Sequence, residues 1–294
     1  MTDIYAAVSS IEQSSGAEKS SGAETSVVCD ALEVSRSAYY AWRGRTSTCR
    51  ESRDSFLAHL IQDIFWRHRR RYGARRIAAE LADQGEICSP RKVAQWLCLQ
   101  GLRAIQPKSF VPKTTNSRHR LGYSPNLLLD TPEPGALNDL WVGDISYIPL
   151  TDGRFCYLAI LMDRYSRRII GWHVEQSMTE ELVIPALHAA IRERQPEPKL
   201  IHHTDRGGQY ASNRYRAILR RAGCQQSMNR ADNCYDNAFM ESCFGTLKTE
   251  LEMTEDKHPR KARREIGEYI AYYKLDRKHS ALGYMTPHQF ELRD

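Results

Sequence analysis

LWVGDISYIPL, from Leu140 to Leu150, is an apolar run with a carboxylate, Asp144, in its middle. Its β-branched and aromatic residues, closed by the turn Thr151-Asp152-Gly153, predict a strand. FCYLAILMDR (Phe155–Arg164) and RRIIGWHV (Arg167–Val174) predict two more, and the short connections between the three make an antiparallel meander. A helix is expected over Thr179–Arg192, capped by Ser177 or Thr179. KLIHHTD (Lys199–Asp205) then reads as a short buried strand that ends on a second carboxylate, Asp205. Further helices are expected at about Asn213–Ala222, Cys234–Leu251 and Pro259–Tyr273.

Three antiparallel strands, a helix, a strand and then helices is the element order of a ribonuclease-H-like fold, an α/β core with a mixed sheet flanked by helices. Upstream the pattern is all-α. Leu57, Leu60, Ile61, Ile64 and Phe65 repeat at helical spacing between about Asp54 and Arg69. Gly73 to Leu81 forms another helix, and Gly85 stops it. Ser89 caps the next, Pro90 takes its first position and Gly101 ends it. Helix, glycine turn, Ser-Pro start and helix is the grammar of a helix-turn-helix, whose second helix meets DNA with its first turns. Arg91, Lys92 and Gln95 project from those turns, and Arg75 and Arg76 lie on the preceding helix. A weaker helix pair spans Val27–Arg45, with Ser35 as a cap.

The expected organisation is a flexible leader at 1–26, carrying a repeated SSGAE, and a helical DNA-binding region at 27–105. A linker at 106–136, holding five of the twelve prolines, leads to the catalytic core at 137–252 and a helical tail at 253–294. The 294 residues carry 42 Lys and Arg against 36 Asp and Glu. Between Arg50 and Arg120 the balance is 15 basic to 6 acidic, so the positive charge is concentrated where an anionic polymer would bind. A solvated basic face is the plainer reading of charge alone. No apolar run reaches the roughly 18 residues of a membrane span, and no secretory signal opens the chain, so a cytoplasmic site of work at the bacterial nucleoid is expected. The eight cysteines form no CxxC pair and no zinc spacing, and they read as reduced, mostly buried small hydrophobes.

A carboxylate inside a hydrophobic strand is costly unless something satisfies it, which singles out Asp144. Asp205 precedes Gly207 and Gly208, where the backbone can turn sharply or lie against a ligand. Glu241 sits on the helix within NCYDNAFMESCFGTLK. Two strands and a helix can gather these three acids at one sheet edge. Hard divalent ions bind through a few carboxylates plus substrate phosphates. Two such ions about 3.5–4 Å apart activate the attacking oxygen and stabilise the leaving one in phosphoryl displacement. Asp144 is expected to bridge the pair, with Asp205 and Glu241 each holding one ion. Singly, each acid has a duller role: a buried ion pair, a turn cap, a solvated helix residue. Asn237, Glu241 and Lys248 share one helical stripe, which offers Lys248 and Asn237 as contacts to DNA beside the reacting phosphate.

These residues resemble the second-frame (OrfB-type) transposases of the insertion-sequence-three family, within the retroviral-integrase-like superfamily. RYGARRI (Arg71–Ile77), WVGDISYI (Trp141–Ile148), HTDRGGQYAS (His203–Ser212), YDNAFMESCFGTLKTE (Tyr235–Glu250) and HSALGYMTPHQFE (His279–Glu291) carry the resemblance. So does the spacing of 35 residues between Asp205 and Glu241. The resemblance implies a magnesium-binding triad of Asp144, Asp205 and Glu241, two ions per site with manganese as a substitute, and Lys248 as a DNA contact. It also implies double-stranded DNA as partner, a homo-oligomer on that DNA, and a first-frame protein or a frameshift fusion with it. Gly143 departs from the family, which usually has Thr there, and the smaller residue would loosen the strand locally. The role of HSALGYMTP is left open between a tail packed on the core and a bridge between protomers. Two competing functions stand beside the transposase: a DNA-binding regulator with a silent catalytic domain, and a nuclease that cleaves without joining.

Overall fold

A computed structural model describes residues 2–14, 21–44, 49–106, 122–129, 131–150, 154–230, 238–251 and 258–293. The chain divides into two compact units, 1–62 and 63–294. Helix α4 (Cys49–Arg67) contains the division, so both expected boundaries of the helical region, 26/27 and 105/106, lie elsewhere than this one.

The first unit holds α1 (Thr2–Ser14), α2 (Ser21–Ala31) and α3 (Arg36–Arg43). The leader expected to be flexible is thus helical wherever it is described. Val8, Cys29 and Tyr39 are fully buried together, and Tyr5, Val28, Val34 and Trp42 pack around them. Tyr5 is the leader's one aromatic residue there, and Tyr39 and Trp42 come from α3, which the reading of 1–26 by itself left out. Ser35 precedes α3 as expected, but its side chain makes no capping bond to that helix.

In the second unit α5 (Ala74–Asp83) and α6 (Pro90–Leu99) form the expected pair. Gly85 (φ 86°) and Gly101 (φ 66°) take the left-handed conformation after each helix, where a Cβ would be strained. The Ser89 hydroxyl accepts from the Lys92 N–H at 3.3 Å, with Pro90 at the first helical position. Ile77, Leu81, Val93 and Leu97 are buried.

The sheet runs β3-β2-β1-β4-β5. Strands β1 (Leu140–Pro149), β2 (Phe155–Asp163) and β3 (Ile169–Glu175) form the antiparallel meander. Strands β4 (Ile201–Thr204) and β5 (Gln225–Met228) add in parallel beyond β1. The four residues of β5, three of them polar, carry too little periodicity to be foreseen. On one face α10 (Ala238–Glu250) and α11 (Pro259–Leu275) bury Val142, Leu158, Ile160 and Ile169. On the other, α7 (Glu180–Arg194), α8 (Gly208–Ala211) and α9 (Asn213–Arg221) bury Trp141, Ala159 and Leu161. Strands covered on both faces read as near-continuous apolar runs, as β1 and β2 do. Gly171 lets α7 lie against β3: a Cβ there would stand 2.2 Å from the Ala186 carbonyl oxygen.

The segment expected as an extended linker is described at 122–129 and 131–136, and there it is docked. The Met228 N–H donates to the Pro125 carbonyl, the Leu127 N–H to the Ser227 hydroxyl and the Ser124 hydroxyl to the Gln226 amide oxygen. These bonds cover the β5 edge, which would otherwise present unpaired backbone. No helix among the described residues is long and apolar enough to cross a membrane. Cys29, Cys156, Cys224 and Cys243 are buried, Cys88 is half-buried and Cys98 is exposed, all as free thiols.

The tail closes the unit. Short helix α12 (Pro287–Glu291) starts at Thr286 with a reciprocal capping box to Gln289. Glu291 meets Arg168 at 3.1 Å, and also pairs with Arg194 and the Ser166 hydroxyl. HSALGYMTP is therefore packed on the core, the first of the two roles left open for it.

Candidate active site

The parallel register places the first two acids. Gly143 pairs with Thr204, the last residue of β4, so Asp144 and Asp205 are the next residues on adjacent strands. Neighbouring strands lie about 4.8 Å apart, which sets the two carboxylates side by side. Beyond that point β4 reaches its carboxyl end while β1 runs on to Pro149. Ligands of open α/β sheets bind at such ends.

Both carboxylates are half-buried and held by backbone. Asp144 Oδ1 accepts from the Ile145 N–H at 2.8 Å, and Asp205 Oδ1 from the Gly207 N–H at 3.0 Å. A Cβ at residue 207 would lie 2.7 Å from the Gln209 amide oxygen and 3.0 Å from Asp205 Oδ1, so the turn requires glycine. Beneath Asp205, His203 bonds Ser227 Oγ at 2.8 Å through Nδ1 and Asn229 Oδ1 at 2.6 Å through Nε2, which locks β4 to β5. His202 shares a 2.7 Å bond with the Tyr215 hydroxyl. Burial, reinforced by His203, drives its pKa down to about 3, so its ring is neutral.

Glu241 is exposed in the first turn of α10. Met240, Cys243, Phe244 and Leu247 turn inward instead, with Phe239 packed beside them. Among the described residues no three acids, histidines or cysteines stand close enough together to hold a metal ion, so Glu241 is not gathered with the two aspartates. Lys248, two turns along the Glu241 stripe, is half-buried with its amine 4.1 Å from the Tyr147 ring centroid. Burial lowers its pKa and the negative charge of Asp144 opposes that shift, which places Lys248 on the Asp144 side of α10. Asn237 lies outside the described residues.

In the helix pair, Arg75, Arg91 and Gln95 are exposed and Lys92 is half-buried. Arg76, also expected as a DNA contact, is half-buried. It turns inward, 3.5 Å from Glu250 and over the Tyr72 ring, and burial together with the nearby Arg277 charge lowers its pKa. A basic residue in a basic run gives no sign of which neighbour has a buried acid to meet. Two features went unseen in the sequence. Tyr210 is fully buried beside Asp205, and Arg277 joins Glu250 at the far end of α10. Tyr210 stands in the HTDRGGQYAS motif, but a tyrosine after two glycines does not announce its burial.

A mixed sheet with acids at neighbouring positions of adjacent parallel strands, preceded by a paired-helix segment, defines an integrase-type core with an HTH-like region. Family models described as "Integrase core domain" match residues 135–234 and 222–287, and one described as "HTH-like domain" matches 51–110. The chain is 39% identical over 272 residues to the transposase InsF for insertion sequence IS3A of Escherichia coli, covering 90% of this chain and 92% of the relative. It is 39% identical over 239 residues to the transposase for insertion sequence element IS904 of Lactococcus lactis, covering 80% and 93%. It is 40% identical over 265 residues to an uncharacterized 31 kDa protein of insertion element IS600 from Shigella sonnei, covering 90% and 97%. The chain belongs to the insertion-sequence-three family of transposases. Among solved structures, the simian T-cell lymphotropic virus intasome is similar at 16% identity and a TM-score of 0.47, over 80% of this chain and 74% of that one.

Proposed function

We propose that this transposase cleaves DNA strands at the ends of its element and joins the freed 3′-hydroxyl to another strand, using Asp144, Asp205 and Glu241. The observation that carries the reading is the placement of Asp144 and Asp205 one register step beyond the Gly143–Thr204 pair. The donor set fits magnesium or manganese: carboxylate oxygens at the carboxyl end of β4, with neutral His202 bonded to Tyr215. Asp144 would lie between two ions, with Asp205 and Glu241 each on one. Bound there, the ions would lower the pKa of an attacking water or hydroxyl and offset the charge of the leaving oxygen.

The other roles belong to the chain itself. Lys248, beside Asp144 on the Glu241 stripe, offers an ammonium to a DNA phosphate, and Asn237 is proposed as a second DNA contact. Arg91, Lys92 and Gln95 enter the major groove, and Arg75 meets the backbone. Residues 27–105 serve DNA binding, 137–252 the chemistry and 253–294 the closing tail. Holding two element ends requires at least a dimer on DNA. A first-frame protein, or a fusion with it, supplies further end recognition. The place of work is the bacterial cytoplasm.

The test is a supercoiled plasmid carrying the flanks of this gene, incubated with magnesium or manganese. Wild type should nick and join it, while Asp205→Asn and Glu241→Gln should bind DNA without cutting. Equal cutting by all three would refute the triad. Cutting of RNA–DNA hybrids without any joined product would favour a nuclease, and DNA binding without chemistry in any protein a regulator.

A further inference from the structure

Tyr210 is fully buried, yet among the described residues its hydroxyl has no hydrogen-bond partner. Buried polar groups in native proteins are nearly always bonded, so an unpartnered one needs a reason. Its surroundings are tightly held. The Gln226 side-chain amide donates to the Tyr210 carbonyl at 2.7 Å, and that of the preceding Gln209 to the Met178 carbonyl at 2.8 Å. The Tyr215 ring meets that of Tyr210 edge-on, with centroids 5.4 Å apart. Gly207 lies between the ring and the acid. A Cβ built on it would stand 3.5 Å from Tyr210 Cδ2 and 3.0 Å from Asp205 Oδ1.

We propose that Tyr210 is a positioning residue for the aspartate pair: when a divalent cation draws Asp144 and Asp205 together, its hydroxyl donates to the Asp205 carboxylate and fixes the oxygens that face the ion. The inference rests on the reading of Asp144 and Asp205 as metal ligands. Phenylalanine would fill the same space, so the hydroxyl has no packing role of its own. Burial first, then Tyr215 and the charges of Asp144 and Asp205, hold the proton on Tyr210, so the hydroxyl keeps a hydrogen to donate. A donor fixed before the cation arrives narrows the carboxylate geometries the ion would otherwise have to select.

The experiment is thermal unfolding of the full chain in chelator and across a magnesium titration, for wild type, Tyr210→Phe and Asp205→Asn. Ligand that binds only the folded state raises its stability, so the titration reads magnesium affinity without any catalysis. In chelator, Tyr210→Phe should melt with wild type or above it, since the lost hydroxyl has no partner there. Its half-saturating magnesium concentration should rise about threefold to tenfold, which corresponds to one hydrogen bond to a charged group weakened by partial rearrangement. An unchanged half-saturation in Tyr210→Phe, with Asp205→Asn unresponsive, would overturn the role of Tyr210 alone. Wild type and Asp205→Asn responding alike, or neither responding, would overturn the metal-ligand reading and this inference with it.

Discussion

Arg277 clasps Glu250 with two nitrogens, Nε at 2.8 Å from Oε2 and Nη2 at 2.6 Å from Oε1, and both side chains are buried. Glu250 closes α10, the helix whose first turn carries Glu241. Tyr269 donates to it at 3.0 Å and Arg76 of α5 reaches it at 3.5 Å. Around this pair the Tyr72 hydroxyl donates to the Asp276 carbonyl and accepts from the Lys278 N–H, and Lys278 pairs with Asp83. The paired helices, the acid-bearing helix and the tail thus meet at one buried cluster. Burial would depress Arg277, but the bonds and charge of Glu250 outweigh that and hold its pKa above the ordinary arginine value.

Glu250→Gln should therefore lower unfolding stability by about 3–5 kcal/mol, because two guanidinium groups would stay buried without their acid. Urea unfolding measures it. A loss below about 1 kcal/mol, the scale of exposed pairs, would mean the cluster is solvated in solution.

Arg75 and Arg76 are neighbours with opposite expected fates. Arg75→Ala should leave stability within about 0.5 kcal/mol of wild type, lower DNA affinity and reduce the salt slope by about one ion. Arg76→Ala should cost stability through Glu250 and leave the slope of the folded protein unchanged. Fluorescence anisotropy across a salt series, beside urea curves, separates them, and a reduced slope in Arg76→Ala would refute its interior role.

How much of this was legible depends on range. The meander, β4 and the caps at Ser89 and Gly85 follow from local pattern, because each reports the conformation of a few adjacent residues. Asp144 and Asp205 stood out because acids rarely interrupt apolar strands. Their mutual register, by contrast, comes from pairing across 60 residues, which no local period encodes. Helix α1 and the start of α2 escaped because Val8 and Cys29 find their core in Tyr39. Arg76 and Tyr210 escaped because burial of a polar group is decided by distant partners, Glu250 in one case and the β4 end in the other.

His279 and His202 are both buried and neutral, His279 with its pKa pushed down to about 2 and His202 to about 3. Burial is the main cause for each; Arg277, Arg76 and Arg167 add to it at His279, and His203 at His202. Unfolded histidine binds its proton near pH 6.5, so below that value the unfolded state takes up protons the folded state refuses. Stability should be flat above about pH 6.5 and fall as pH drops below it, by at most about 1.4 kcal/mol per unit for each histidine. Replacing His279 with Gln should remove one proton of that slope between about pH 6 and pH 4.5, measured by urea unfolding at stepped pH. An unchanged slope would mean that His279 titrates normally in the folded protein.

Gly143 sits in β1 directly before Asp144, where the family's usual residue is larger. A Cβ there would lie 3.1 Å from the His202 ring and 3.3 Å from Thr204 Cγ2, tighter than ordinary contact. The small residue therefore fits β1 to its β4 neighbours; the room it vacates is filled. Gly143→Ala should cost roughly 1–3 kcal/mol, the usual penalty of overpacking. Thr204→Ser removes the crowding methyl while keeping the hydroxyl that donates to the Asp205 carbonyl at 3.0 Å. In a double-mutant cycle the second change should recover part of the first loss, a coupling of about 0.5 kcal/mol or more between contacting residues. Strict additivity would mean that the His202 ring alone sets the limit, and a Gly143→Ala protein as stable as wild type would show that β1 and β4 part easily at the very step where the two aspartates meet.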